Sequence, residues 1–175
     1  MKIFNDEEFE KLINKCPRIL KRSTNILSDI LNIISENLGN VKEIIMKEPS
    51  IFIRSPESIK AKIDEIKNYT TNFANIIEKI PSCICTYSLE NLRHKLEFFR
   101  KIREESGKDF LLENPFRIRF GIGELNRRLK ILNKVLYKDL FLRKSEFDKK
   151  YGDIYRKMID NCTDCEPESA KKVSE

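Results

Sequence analysis

Apolar side chains recur along this chain in the order i, i+4, i+7 four times: Leu27, Leu31, Ile34; Ile59, Ile63, Ile66; Leu92, Leu96, Phe99; and Leu125, Leu129, Leu132. Such spacing puts three side chains on one face of an α-helix, so it predicts four amphipathic helices. Upstream of each stripe stands a proline followed by apolar residues: Cys16-Pro17-Arg18-Ile19-Leu20, Glu48-Pro49-Ser50-Ile51-Phe52, Ile80-Pro81-Ser82-Cys83-Ile84 and Asn114-Pro115-Phe116-Arg117-Ile118. The prolines lie 32, 32 and 34 residues apart and the stripes 32, 33 and 33, so the third copy carries one extra residue between its proline and its helix. Five and four residues before each proline sits a second apolar pair, Leu12 and Ile13, Ile44 and Ile45, Ile76 and Ile77, Phe110 and Leu111, which predicts a shorter helix in each copy.

Start and stop signals agree with this division. Ser55 followed by Pro56, and Ser88, are suited to accept from free backbone N–H groups at helix starts. Gly39 and Gly107 suit helix ends. Asn5 with Glu8 three positions on resembles a capping box for a first helix carrying Phe9, Leu12 and Ile13. Proline lacks a donor and disfavours helical geometry in the residue before it, so it ends each short helix and re-aims the chain identically. A single helix pair cannot bury its own stripe, whereas stacked neighbours can. The expectation is an all-α, curved α-solenoid of about four repeats with a period of about 32–34 residues and capping helices. Residues 1–161 form one repeat domain; Phe147, Tyr151, Ile154 and Met158 keep helical spacing without a following proline, and residues 162–175 form a tail without periodicity.

Composition narrows the classes. Charged residues make up 35% and apolar residues 40% of the 175, with five Gly and six Pro, which suits a helical core. No apolar run approaches the roughly 18 residues that span a bilayer. The start is acidic and lacks a signal or transit pattern. Five cysteines are an odd count, fitting reduced thiols inside a cell. The sequons at Asn68 and Asn161 are read as chance matches.

The period, the Pro followed by Ile or Leu, then Ser or Thr and an L-x-x-x-L-x-x-L helix together resemble the mitochondrial transcription termination factor (mTERF) repeat over roughly residues 12 to 142. Lys47 to Ile66 is the nearest copy and Ile80 to Phe99 is close behind. The resemblance implies two α-helices and a short 3₁₀ turn per repeat, a curved superhelix, and binding of duplex DNA or structured RNA along a basic concave surface. It also implies a mitochondrial setting; with no transit peptide visible, the cytoplasm is the other compartment.

Charge distribution bears on that expectation. Residues 1–85 carry 13 basic and 12 acidic side chains, residues 86–150 carry 17 and 10, and residues 151–175 carry 4 and 6, so copies three and four hold the surplus behind the net +6. The candidate phosphate-binding residues are Arg93, Lys95, Arg100, Arg117, Arg119, Arg127, Arg128 and Lys130, with Arg18, Arg22, Arg54 and Lys60 in copies one and two. Lys21, Lys101, Arg103 and Lys134 lie among them. The plainer reading makes these the solvated faces of amphipathic helices, balanced by Glu90, Glu97, Glu104, Glu105 and Glu124.

Catalysis finds little support. His94, the only histidine, sits between Arg93 and Lys95, and Gly121-Ile122-Gly123 lacks the preceding strand of a dinucleotide fingerprint and reads as a loose corner. Cys83, Cys85, Cys162 and Cys165 could in principle supply four thiolates to zinc, but Cys83 falls in a core slot and the second pair in the tail. Of Phe98, Phe99, Phe110, Phe116 and Phe120, most belong to stripes or corners rather than to base stacking. The reading is a non-catalytic, cofactor-free nucleic-acid-binding protein acting in transcription or in RNA and ribosome maturation, the alternative being a protein-interaction scaffold that uses the same groove.

Overall fold

A computed structural model describes residues 3–132 and 137–160, and among these all regular structure is helical. The chain divides into two compact units. Met1–Arg119 holds α1 (Asp6–Lys15), the 3₁₀ turn η1 (Pro17–Lys21), α2 (Thr24–Asn37), α3 (Val41–Lys47), η2 (Pro49–Ile53), α4 (Pro56–Tyr69), α5 (Phe73–Lys79), α6 (Cys83–Thr86), α7 (Leu89–Ser106), α8 (Phe110–Glu113) and η3 (Pro115–Arg119). Phe120–Glu175 holds α9 (Ile122–Leu132), η4 (Tyr137–Phe141) and α10 (Lys144–Asp160). Short helix, tight turn and long helix thus follow in order in each copy, and the third replaces its 3₁₀ turn by the single α-turn α6.

The corners repeat at the level of dihedral angles. The residue before each proline adopts nearly one conformation: Cys16 at φ −144°, ψ 75°, Glu48 at −135°, 74°, Ile80 at −135°, 72° and Asn114 at −145°, 95°. Each still donates its N–H to the carbonyl four residues back, Leu12, Ile44, Ile76 and Phe110, at 2.9–3.3 Å. The short helix is therefore completed before the proline turns the chain, and the missing proline donor falls at the start of a new turn, where no partner is required.

Caps fix the long helices in phase with the corners. The Ser23, Ser55 and Ser88 side chains accept from the backbone N–H three residues on, and Asn5 and Glu8 form a reciprocal capping box. Gly107 ends α7 in the left-handed region at φ 69°. Gly39 does not follow that expectation: α2 ends through extended Leu38 at φ −135°, and Gly39 keeps a negative φ.

In the first unit α2 packs against α4 and α4 against α7, while α3 packs against α5 and α5 against α8. The turns form a row of their own, η1 against η2 and η2 against α6. Long helices, short helices and corners thus stack copy upon copy, the arrangement of an α-solenoid. Ile59, Ile63, Ile66, Leu92, Leu96 and Phe99 on these long helices are buried, as is Leu125 in the second unit. At about 1.5–3 kcal/mol for each fully buried aliphatic side chain, this stripe outweighs any cap or surface ion pair.

Two copies depart from the stripe. In α2 it is Ile30 and Ile34 that are fully buried, with Leu27 and Leu31 half-buried, and in α9 Arg128 is buried where Leu129 is half-exposed. Both departures concern one register position, the residue thirteen or fourteen beyond the proline.

Candidate functional site

That position holds Ile30, Lys62, Lys95 and Arg128 in successive copies. Lys62 and Lys95 are 5% and 4% exposed and Arg128 1%. Lys62 Nζ donates to the Ile84 carbonyl at 3.1 Å and Lys95 Nζ to the Ile118 carbonyl at 2.9 Å. Each acceptor lies three residues past the proline of the next copy. Arg128 Nη1 donates to the Leu140 and Leu142 carbonyls at 2.8 and 2.5 Å, and its Nε to Glu124 at 2.6 Å. A long aliphatic stem thus fills the stripe while its cationic head holds the neighbouring corner.

The Leu140 contact reveals a fifth corner that proline spacing does not mark. Counting from Tyr137, the first residue of η4, Phe147, Tyr151 and Ile154 take the three stripe offsets and Lys150 takes the cation offset. A fifth turn and long helix therefore exist with tyrosine in the proline's place, and the distance from Pro115 to Tyr137 is 22 residues rather than 32. The recurrence of Lys62, Lys95, Arg128 and Lys150 in register is the sequence signal that could have revealed it. At this last site Asp139 accepts from Lys150 at 2.7 Å and from the Tyr151 hydroxyl at 2.5 Å.

Burial pushes the Lys62 and Lys95 ammonium groups below the usual lysine range. Hydrogen bonds from Arg127, then from Arg128, hold the Glu124 carboxyl down at about 2. Arg127 donates to Glu124 at 2.8 and 2.7 Å and reaches Asp148 at 3.4 Å. Cys83 and Cys85, buried free thiols, are pushed up to about 12 by desolvation.

The twelve sequence-nominated cations consequently fall into distinct groups. Lys95 and Arg128 are a correction: both heads are enclosed by the protein and bonded to its own carbonyls, which removes them from any phosphate-facing set. Arg22 donates to the Arg54 carbonyl at 2.8 Å, Arg93 pairs with Glu65 at 2.8 Å, Arg117 bonds the Phe110 carbonyl at 2.7 Å and Glu113 at 3.0 Å, and Arg127 is held by Glu124. Arg18, Arg54, Lys60, Arg119 and Lys130 are exposed and Arg100 is half-exposed, and no ion pair involves them among the described residues. Lys60 borders a cleft of ≈ 320 Å³ between α2 and α4 that Asp29, Glu36 and Glu57 also line, so its surroundings are acidic. Lys134, Cys162 and Cys165 lie outside the described residues.

His94 is exposed on α7. Gly121 precedes α9 and Gly123 lies in its first turn, a helix start without a strand before it. Phe98, Phe99 and Phe110 are buried, whereas Phe116 is 48% exposed with the Arg119 guanidinium 5.0 Å from its ring centre. Among the described residues no cluster of His, Cys, Asp and Glu could hold a metal, and no helix is long and apolar enough to cross a membrane.

Repeats of two helices joined by a proline-led turn, stacked copy on copy with a buried cation locking one to the next, define an all-α helical-repeat protein. The sequence profile of the mTERF family matches residues 2–142, and the chain belongs to that family. No curated protein and no solved structure matches it significantly.

Proposed function

We propose that this chain binds nucleic acid without catalysis, holding backbone phosphates with cations set at its proline corners and along the long helices of copies three and four. One observation carries the reading. Segments 17–22, 49–54 and 115–119 contain Arg18, Lys21, Arg22, Arg54, Arg117 and Arg119 and no Asp or Glu, whereas the exposed faces of α4 and α7 mix both signs and α2 carries only Asp29 and Glu36. In the first unit η1 packs against η2, so the charge of the first two corners adds instead of cancelling. Arg54 and Arg119, with Arg100 and Lys130, are the exposed or half-exposed members of copies two to four that have no ion pair among the described residues once Lys60, with its acidic surroundings, is set aside. Guanidinium groups bind phosphate oxygens bidentately, and contacts of this kind grip the backbone without reading sequence.

The test is fluorescence anisotropy with a generic DNA duplex and an RNA stem-loop between 50 and 200 mM salt. Four phosphates neutralised correspond to a slope of log K against log salt of about −3.6 on a DNA duplex, and Arg54→Ala/Arg119→Ala should flatten it by about 1.8. Failure of both polymers to bind at 50 mM salt would sink the proposal, and so would an unchanged slope in the double variant.

A further inference from the structure

The first corner differs from the others in what it leaves uncovered. Leu20, three residues past Pro17, is 66% exposed, while its register mates Phe52, Ile84, Ile118 and Leu140 are 5%, 0%, 0% and 0% exposed. Those residues lie against a preceding long helix: α2 packs on η2 and α4 on α6, and the Lys62, Lys95 and Arg128 heads end on the carbonyls of Ile84, Ile118 and Leu140. No long helix precedes η1 among the described residues. Phe9 on α1, the helix packed against η1, is likewise 50% exposed. This edge therefore presents two large apolar side chains to solvent.

Charge says what kind of surface would cover it. Arg18 and Lys21 flank Leu20 and are both exposed, and segment 17–22 holds no acidic residue. At the same offsets the covered second, third and fourth corners carry Ser50 and Ile53, Ser82 and Cys85, and Phe116 and Arg119, so the first corner is distinguished by basic residues at both offsets around an exposed apolar centre. Phosphate would satisfy the two cations and leave Leu20 and Phe9 in water. A second copy of this chain would bring its own cationic corners against them.

We propose that this edge docks an amphipathic helix of a partner protein, with an apolar stripe flanked by Asp or Glu, in the place where a preceding long helix would lie. The partner's stripe covers Leu20 and Phe9 and its carboxylates meet Arg18 and Lys21. The interface continues the stacking that the chain already makes between its own copies. This proposal stands apart from nucleic-acid binding, since it rests on Leu20 and Phe9.

The probe is a synthetic peptide of residues 23–38, the α2 sequence, which covers a corner in the chain itself and carries Asp29 and Glu36 without a basic residue. A lactam between positions 28 and 32, both exposed in the protein, locks it as a helix. Titrated into the ¹⁵N-labelled full chain, it should shift amides around Phe9, Arg18, Leu20 and Lys21. Leu20→Glu should weaken binding at least about tenfold, as expected from losing a covered leucine. Arg18→Glu/Lys21→Glu should weaken it and remove its salt dependence, with unchanged circular dichroism in both variants. The proposal is overturned by shifts confined to residues 49–54, by no shift at about 1 mM peptide, or by equal affinity for Leu20→Glu. Concentration-dependent self-association that Leu20→Glu abolishes would assign the edge to a second copy instead. A loss of RNA affinity in Arg18→Glu/Lys21→Glu, with no peptide bound by the parent chain, would assign it to phosphate. Either of these results would also overturn the helix.

Discussion

Replacing Lys95 by methionine separates a structural cation from a phosphate ligand in one variant. Methionine keeps the unbranched stem and so most of the packing within α7; what disappears is the ammonium that donates to Ile118 and lies 4.8 Å from the Tyr87 ring centre. A hydrogen bond from a charged donor contributes about 1.5–3 kcal/mol net. Two effects reduce the loss: the Tyr87 hydroxyl, 3.3 Å from the same carbonyl, still donates to it, and a buried charge no longer has to be desolvated. The expected destabilisation is about 1–2 kcal/mol, or roughly 2–8 °C in Tm for a chain of this size. Lys62→Met should cost more than Lys95→Met, because no second side chain is seen donating to the Ile84 carbonyl among the described residues. Calorimetric melts give Tm, and anisotropy against salt gives the phosphate count. A Lys95→Met protein with unchanged Tm and a salt slope flatter by about 0.9 would refute the buried-cation account, since that is the signature of a lost phosphate contact. The pH dependence adds a check on sign. With folded-state pKa values lowered by burial, the unfolded chain binds more protons between those values and the ordinary lysine range. The contribution of the two lysines is therefore fully present above about 10.5 and is lost as pH falls through their folded values, so the stability gap between parent and Lys62→Met/Lys95→Met should widen in the parent's favour as pH rises through that window.

Three further outcomes follow from the same structure. Cys83 and Cys85, buried and pushed up to about 12, should resist a maleimide at pH 8 in the native chain and react once denaturant is added; rapid native labelling counted by mass spectrometry would contradict their core placement. Gly107→Ala should cost about 1–2 kcal/mol in denaturant melts, because its φ of 69° is strained for any residue with a Cβ although nothing crowds the site within 4 Å. Glu124, held at about 2 when folded, contributes stability that is present above the ordinary glutamate range and lost as pH falls toward 2; Glu124→Gln should flatten the acid side of the stability curve, as read by urea melts from pH 2 to 6.

The repeat was legible because its chief devices are local. Proline sets the conformation of the residue before it, serine caps the backbone three residues on, and the i, i+4, i+7 stripe needs only helical geometry, so four corners and four long helices follow from spacing alone. The phase of α2 was not legible. Leu27, Leu31 and Ile34 match the template, yet Ile30 occupies the buried slot, because two apolar stripes one residue apart are equivalent until a neighbour chooses between them. The fifth corner was hidden for a related reason: Tyr137 stands in the proline's place and lies 22 residues after Pro115, so neither a proline nor a period near 32 marks it.

The charged residues show where counting fails in physical terms. A lysine or arginine has an apolar stem and a polar head, so an identical letter in the sequence serves a solvated face, an ion pair or a buried lock. Net charge ranked copies three and four highest, but Lys95 and Arg128 hold corners there, and Arg127, Arg117 and Arg93 are matched by Glu124, Glu113 and Glu65. Discounting these moves the centre of available charge from the long helices to the turns, where Arg54 and Arg119 stand without acidic neighbours in their segments. The Lys62 and Lys95 heads end on the corners of the third and fourth copies and fix them against the preceding long helix; the third corner carries no arginine, whereas the fourth carries Arg117 and Arg119. Under the proposed phosphate grip, loosening the lock at Lys95 should therefore weaken the hold of Arg119, an arginine that this lysine does not touch, as read by the same anisotropy titration.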